Sequence, residues 1–181
     1  MEIIIKILEK LRLIKSSGKK LEEYLDILKI PYRNHNSQID ALTPSLVSIG
    51  NNFVSAPGSK IISHDSSLVL SEGILRFGKV KIGDNVFLGA NSVVLAGSII
   101  GNNCIIGAGA VVKGKFKDYS VIVGNPAKKI MSVQDLIIKT KKEDNFIDIP
   151  IEVVNKMKIS KLSFEDRKFI EKIVNEKVHK R

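Results

Sequence analysis

A chain of 181 residues, 44% hydrophobic and 27% charged, has room for one packed domain with appendages and the composition of an ordinary globular protein. One cysteine excludes an internal disulfide framework, and three scattered histidines exclude zinc-finger spacing, so no metal is expected. Of the net charge of +10, most lies from residue 113 onward, where 17 basic residues face 10 acidic ones; no helix-turn-helix, zinc or aromatic-stacking motif accompanies it, and nucleic acid is not an expected partner.

In chain order, Ile4, Ile7, Leu8, Leu11 and Ile14 recur at helical spacing with Lys6, Lys10 and Lys15 among them. No apolar run is long enough to span a membrane and no small-residue cleavage site follows, so neither a spanning segment nor a signal peptide is expected, and the location reads as cytoplasmic. A basic amphipathic helix of this kind either docks on the rest of the protein or rests peripherally on a membrane surface. After the break at Ser16-Ser17-Gly18, Leu21, Tyr24, Leu25 and Leu28 give a second helix that must stop before Pro31. Residues 1–44 thus read as a helical hairpin followed by a polar linker.

From Ser45 a six-residue repeat begins, degenerate at first (Ile49-Gly50-Asn51-Asn52-Phe53, then Ser55 and Ile61). Between Ile49 and Ile82 the register breaks, which calls for an inserted loop at about residues 65–79. From Val80 to Lys113 the repeat is regular: apolar residues fall at Ile82, Leu88, Val94, Ile100, Ile106 and Val112, with Gly83, Gly89, Gly101 and Gly107 one position later. Strand alternation turns Val80 with Ile82, Cys104 with Ile106 and Ala110 with Val112 to one side, so each hexad is a short strand with two inward residues and then a tight turn. Three such strands close one triangular coil, and Ile82 should stack on Ile100, Leu88 on Ile106 and Val94 on Val112. Residues 45–130 therefore read as a mainly β solenoid of parallel strands. Residues 131–181 read as a helical extension, with helices at about 133–141 and from an N-cap at Ser163, where Glu165 and Asp166 fill the first turn.

Among the histidines, His64 stands at the edge of the inserted loop, where an imidazole has the chemistry to take a proton from a hydroxyl near neutral pH. Asp65, next to it in sequence, is poorly placed to orient its ring; Glu72, inside the loop, is a candidate for that task. Asn51, Asn52 and Glu72 are candidates for acceptor contacts. Lys113, Lys115 and Lys128 belong to a lysine-rich stretch that suits phosphates or, equally, forms a solvated loop.

The runs Ile82-Gly83-Asp84-Asn85-Val86-Phe87-Leu88-Gly89-Ala90, Ile106-Gly107-Ala108-Gly109-Ala110-Val111-Val112 and Val123-Gly124-Asn125-Pro126-Ala127, together with His64, resemble the hexapeptide-repeat acyltransferases, in the branch of galactoside and maltose O-acetyltransferases and the enzymes that acetylate antibiotics or capsule sugars. The resemblance covers about residues 45–130. It implies a left-handed parallel β-helix, against the usual right-handed crossover. It further implies a homotrimer with active sites between subunits, acetyl-CoA as acyl donor, and a sugar hydroxyl as acceptor. His64 would be the general base, Ala90 and Ala108 would line the groove for the pantetheine arm, and Lys128 would match a basic residue after Asn-Pro. Phe87 takes the place of an aromatic residue usual in that branch. Lys113 and Gly114 depart from its threonine and lysine, with Lys115 a substitute charge. Alternatives are an N-acetyltransferase acting on an amino nucleotide sugar and a non-catalytic trimeric scaffold.

Overall fold

The computed structural model describes residues 37–143, 146–158 and 162–179. The helical hairpin expected at the start of the sequence, and His35 with it, lies outside the described residues.

Short strands are laid in rotation onto three sheets. Strand β1 (Gln38–Ile39) lies on face one, β2 (Val47–Ile49) on face two, β3 (Val54–Ser55) on face three, and β4 (Lys60–Ile61) returns to face one. An arm then leaves the stack: β5 (His64–Leu68), the one-turn helix α1 (Val69–Glu72) and β6 (Ile74–Phe77), with β5 and β6 paired antiparallel. The rotation resumes with β7 (Val80–Ile82), β8 (Phe87–Leu88), β9 (Val93–Val94), β10 (Ile99–Ile100), β11 (Ile105–Ile106), β12 (Val111–Val112), β13 (Lys115–Phe116) and β14 (Ser120–Gly124), placed on faces two, three and one in turn. Pairing is parallel throughout these three sheets until β15 (Ala127–Ser132) closes face three antiparallel to β14.

The expected stacking is present: Ile82 lies opposite Ile100, Leu88 opposite Ile106 and Val94 opposite Val112. Edge residues that meet are 18 apart in the regular block, 33 apart across the arm and 16 apart at the last rung. The register break therefore has a structural cause, since the arm takes up residues that contribute no rung. Inward positions form a continuous core in which Phe53, Ile61, Val80, Leu88, Val94, Cys104, Ile106, Ala110, Val112 and Ile122 are fully enclosed. Burial also raises the Cys104 thiol above its usual range, which fits a packing residue.

Between faces two and three, asparagine solves a backbone problem. Asn52, Asn85 and Asn103 sit at equivalent corners with φ of 54, 55 and 54°, a left-handed conformation that asparagine tolerates better than most residues. Their side chains form a ladder, Asn52 donating to Asn85 at 3.0 Å and Asn85 to Asn103 at 3.1 Å.

Beyond the stack come α2 (Val133–Glu143), α3 (Ile151–Lys158) and α4 (Phe164–Val178). The Ser163 cap is a full capping box: its side chain accepts from the Asp166 amide, and Asp166 accepts from the Ser163 amide. Strand β15 and helix α3 have no counterpart in the sequence reading. Among the described residues, no helix is long and apolar enough to cross a membrane.

The inward and outward assignment has a direct consequence. Ile100, 2% exposed, should cost roughly 2–5 kcal/mol when cut to alanine. Lys81→Ala, on the outward side of the same face, should stay within about 0.5 kcal/mol of the parent. Chemical denaturation of the two variants checks this, and equal losses would contradict it.

Candidate active site

The site starts with the lowest rung. Strand β1 pairs with β4 so that Ile39 lies opposite Ile61, and the next amide, that of Asp40, donates to Ile61 O at 2.9 Å. Asp40 therefore comes to rest under the residues where the chain leaves face one for the arm. Its carboxylate Oδ2 accepts from the Ser63 amide at 2.8 Å, the His64 amide at 3.0 Å and the Ser63 hydroxyl at 3.1 Å. The same oxygen meets His64 Nδ1 at 2.5 Å, while Oδ1 accepts from the Leu42 amide at 2.9 Å.

The Asp40 side chain is 2% exposed and that of His64 25% exposed, so the acid is sealed and the imidazole reaches solvent. Burial by itself would raise the Asp40 carboxyl. The Ser63 amide, the His64 ring, the Leu42 amide and the Ser63 hydroxyl together outweigh it and lower the group from 3.8 to about 2. An ionised Asp40 can only accept, so the tautomer it favours in His64 carries the proton on Nδ1 and leaves Nε2 with a lone pair directed away from the acid. This pair has the geometry of an oriented general base.

The same interaction ties stability to pH. A carboxyl lowered from 3.8 to about 2 on folding stabilises the native state by about 2 kcal/mol, fully present above the unfolded value. That contribution is lost as pH falls from about 4 to about 2. Asp40→Asn cannot titrate there, so the parent should lose about 2 kcal/mol more than the variant over this range in urea unfolding. Parallel curves would contradict the lowered carboxyl.

The sequence places Asp40 in a polar linker and offers Glu72 as the candidate to orient the ring; the residue that meets the ring is Asp40. Glu72 is exposed at the end of α1. Asp65 pairs instead with Arg76 across the arm.

The other sequence candidates fall on different parts of the three-sided stack. Lys113 lies on the same edge as His64, between faces one and two, and Lys115 on face two. Ala90 and Ala108 lie on the edge between faces three and one, where the Gly109 amide donates to Ala90 O at 2.8 Å. Lys128, on β15 opposite Val123, is exposed. Asn51 and Asn52 lie on the third edge, where the Asn51 amide donates to Asp84 at 2.6 Å. Within one chain, then, neither asparagine nor either alanine shares an edge with His64. Among the described residues, no group of three or more His, Cys, Asp or Glu side chains converges as a metal site would require.

A six-residue repeat on three parallel sheets, with a histidine at the root of an arm, defines a class. Residues 79–114 match the family described as Bacterial transferase hexapeptide (six repeats), so the chain carries the repeat of the bacterial transferases. It is 32% identical over 103 residues to YvoF of Bacillus subtilis (strain 168), a protein provisionally named as an acetyltransferase; the match takes in 57% of this chain and 58% of that one. The chain thus spans little more than half the length of that relative. Among solved structures, a maltose O-acetyltransferase from Clostridium difficile 630 superposes with a TM-score of 0.55 at 25% identity, covering 73% of this chain and 89% of that one. A galactoside acetyltransferase solved in complex with coenzyme A shares the fold, with a TM-score of 0.54 at 17% identity over 80% of this chain and 84% of that one.

Proposed function

We propose that the chain is an acetyl-CoA-dependent acyltransferase that moves an acetyl group onto a hydroxyl of a saccharide, working as a homotrimer of left-handed β-helices. The observation that carries this reading is the Asp40–His64 pair at the margin of a hexapeptide-repeat stack. His64 Nε2 takes the proton of the acceptor hydroxyl as its oxygen bonds to the thioester carbonyl carbon. The carbon–sulfur bond breaks, and the departing thiolate takes the proton back from the imidazolium. The products are an acetyl ester and free coenzyme A. Asp40 supports the positive ring during the interval in which it holds two protons.

Small side chains at Ala90 and Ala108 suit a thin pantetheine arm, and exposed Lys128 suits its phosphates; Lys113 and Lys115 are further cationic candidates. Because these alanines and His64 occupy different edges with face one between them, the site is completed when a neighbouring copy brings its own edge alongside. Apolar residues left in water support such an assembly: Leu70 is 100% exposed at the arm's tip, with Leu68, Ile74 and Leu75 beside it. Asn51, Asn52 and Glu72 enter only as acceptor contacts reached across that assembly.

Light scattering should give three times the 20.0 kDa chain mass, and a monomer at micromolar concentration would contradict the assembly. Acetyl transfer is tested by incubating the protein with acetyl-CoA and a panel of sugars, nucleotide sugars and amino sugars, then treating the products with hydroxylamine. Esters are cleaved and amides survive. A hydroxylamine-labile acetyl on a sugar is the expected result; an amide would move the reading to N-acetylation, and no thiol release with any acceptor would leave a non-catalytic scaffold.

A further inference from the structure

We infer that Phe77 is the platform on which the acceptor's sugar ring lies against His64; the inference rests on the saccharide-acetylating reading above. Phe77 is the direct cross-strand partner of His64 in the β5–β6 ribbon. Directly opposed residues of an antiparallel pair emerge on the same side with Cβ atoms about 4.5–5.5 Å apart. The next pair, Asp65 with Arg76, emerges on the other side and is joined there as an ion pair, which keeps both charges off the side where the imidazole and the phenyl ring stand.

The imidazole and the backbone that carries the phenyl ring are both held in place. Asp40 pins His64, and the Gly78 amide, donating to Ser63 O at 2.9 Å, pins the backbone immediately after Phe77. That backbone has little freedom, because a Cβ on Gly78 would stand 2.8 Å from the Gly97 amide nitrogen. The phenyl ring nevertheless stays 70% exposed and forgoes most of the roughly 1.5–3 kcal/mol that burying it would contribute to folding.

Residue type also separates Phe77 from its neighbours. The other apolar residues of the arm, Leu68, Val69, Leu70, Ile74 and Leu75, are all aliphatic, and the one aromatic stands opposite the base. An aliphatic side chain would serve equally well in a contact between copies. An aromatic face adds a negative quadrupole, which attracts the C–H groups on the apolar face of a pyranose. A ring laid flat there keeps its hydroxyls at the rim, with one of them turned toward His64 Nε2.

The chain contains no tryptophan, so Phe77→Trp introduces a single reporter at the platform and Leu70→Trp a single reporter at the arm's tip. Titration of both variants with maltose, other disaccharides and methyl glycosides should give a saturable emission change at position 77 and none at position 70. For the responding saccharide, Phe77→Ala should raise its KM roughly two- to tenfold, the scale of an aromatic stacking contact. The KM for acetyl-CoA should stay unchanged, with the parent's mass by light scattering. No response to any saccharide, an equal response at both positions, or dissociation of the assembly in Phe77→Ala would overturn the inference. The two readings fail separately. A saturable response without acetyl transfer retains the platform and removes the acetyltransferase, whereas acetyl transfer with an unaltered saccharide KM in Phe77→Ala removes the platform alone.

Discussion

His64→Ala should fold, assemble and bind acetyl-CoA as the parent does, yet lose a factor on the order of 10²–10⁴ in turnover. The core that stacks the rungs is apolar and does not include His64, whose side chain is partly exposed at the root of the arm. Asp40 keeps its other donors in the variant, the Ser63, His64 and Leu42 amides and the Ser63 hydroxyl, so the lowest rung remains closed. What disappears is the nitrogen that accepts the acceptor's proton. Acetyl-CoA binding by calorimetry and turnover by thiol release separate these effects. A variant with near-parent turnover would place the base elsewhere, and a variant that fails to assemble would give His64 a structural role.

Asp40→Asn should lower turnover by a comparable factor for a different reason. The carboxylate accepts from Nδ1 and so selects the tautomer with a free Nε2. A carboxamide carries no charge: its oxygen can still accept from the Ser63 and His64 amides and from Nδ1, but it no longer stabilises the imidazolium that forms when Nε2 takes the acceptor's proton. The effect should therefore fall on kcat with little change in the KM for acetyl-CoA, since no donor-binding residue is touched. Asp40→Asn with parent kcat would reduce Asp40 to a clamp on the lowest rung.

The repeat is legible because its physics is local and periodic. Ile82, Leu88, Val94, Ile100, Ile106 and Val112 each fill the same position in a strand, and a single spacing places all of them. The Ser163 cap is legible for the same reason: its partner, Asp166, lies one turn away. Asp40 is not. It meets His64 across 24 residues, and the lowest rung stacks 22 residues from its neighbour, a spacing that belongs to neither the regular block nor the arm. Only the closing of the first rung reveals that a residue in an apparent linker is a sealed carboxylate.

Strand β15 escapes for a related reason. It pairs antiparallel after the repeat has ended, and its run Ala127 to Ser132 keeps no six-residue beat. Asn51 and Asn52 are acceptor-contact candidates by residue type, and the structure adds a local role that the sequence does not display. Here the Asn51 amide is engaged by Asp84 and the Asn52 side chain by Asn85, so both serve the corner where the chain turns.

The claim on which the account turns is that Asp40 holds His64 with its proton on Nδ1 and a lone pair on Nε2. Imidazole-15N NMR of the labelled protein, in buffer that keeps the ring neutral, reads this state directly. His64 is assigned among the three histidines by the resonance that His64→Ala removes. The account predicts an Nδ1–H tautomer in the parent. An Nε2–H tautomer there would contradict it.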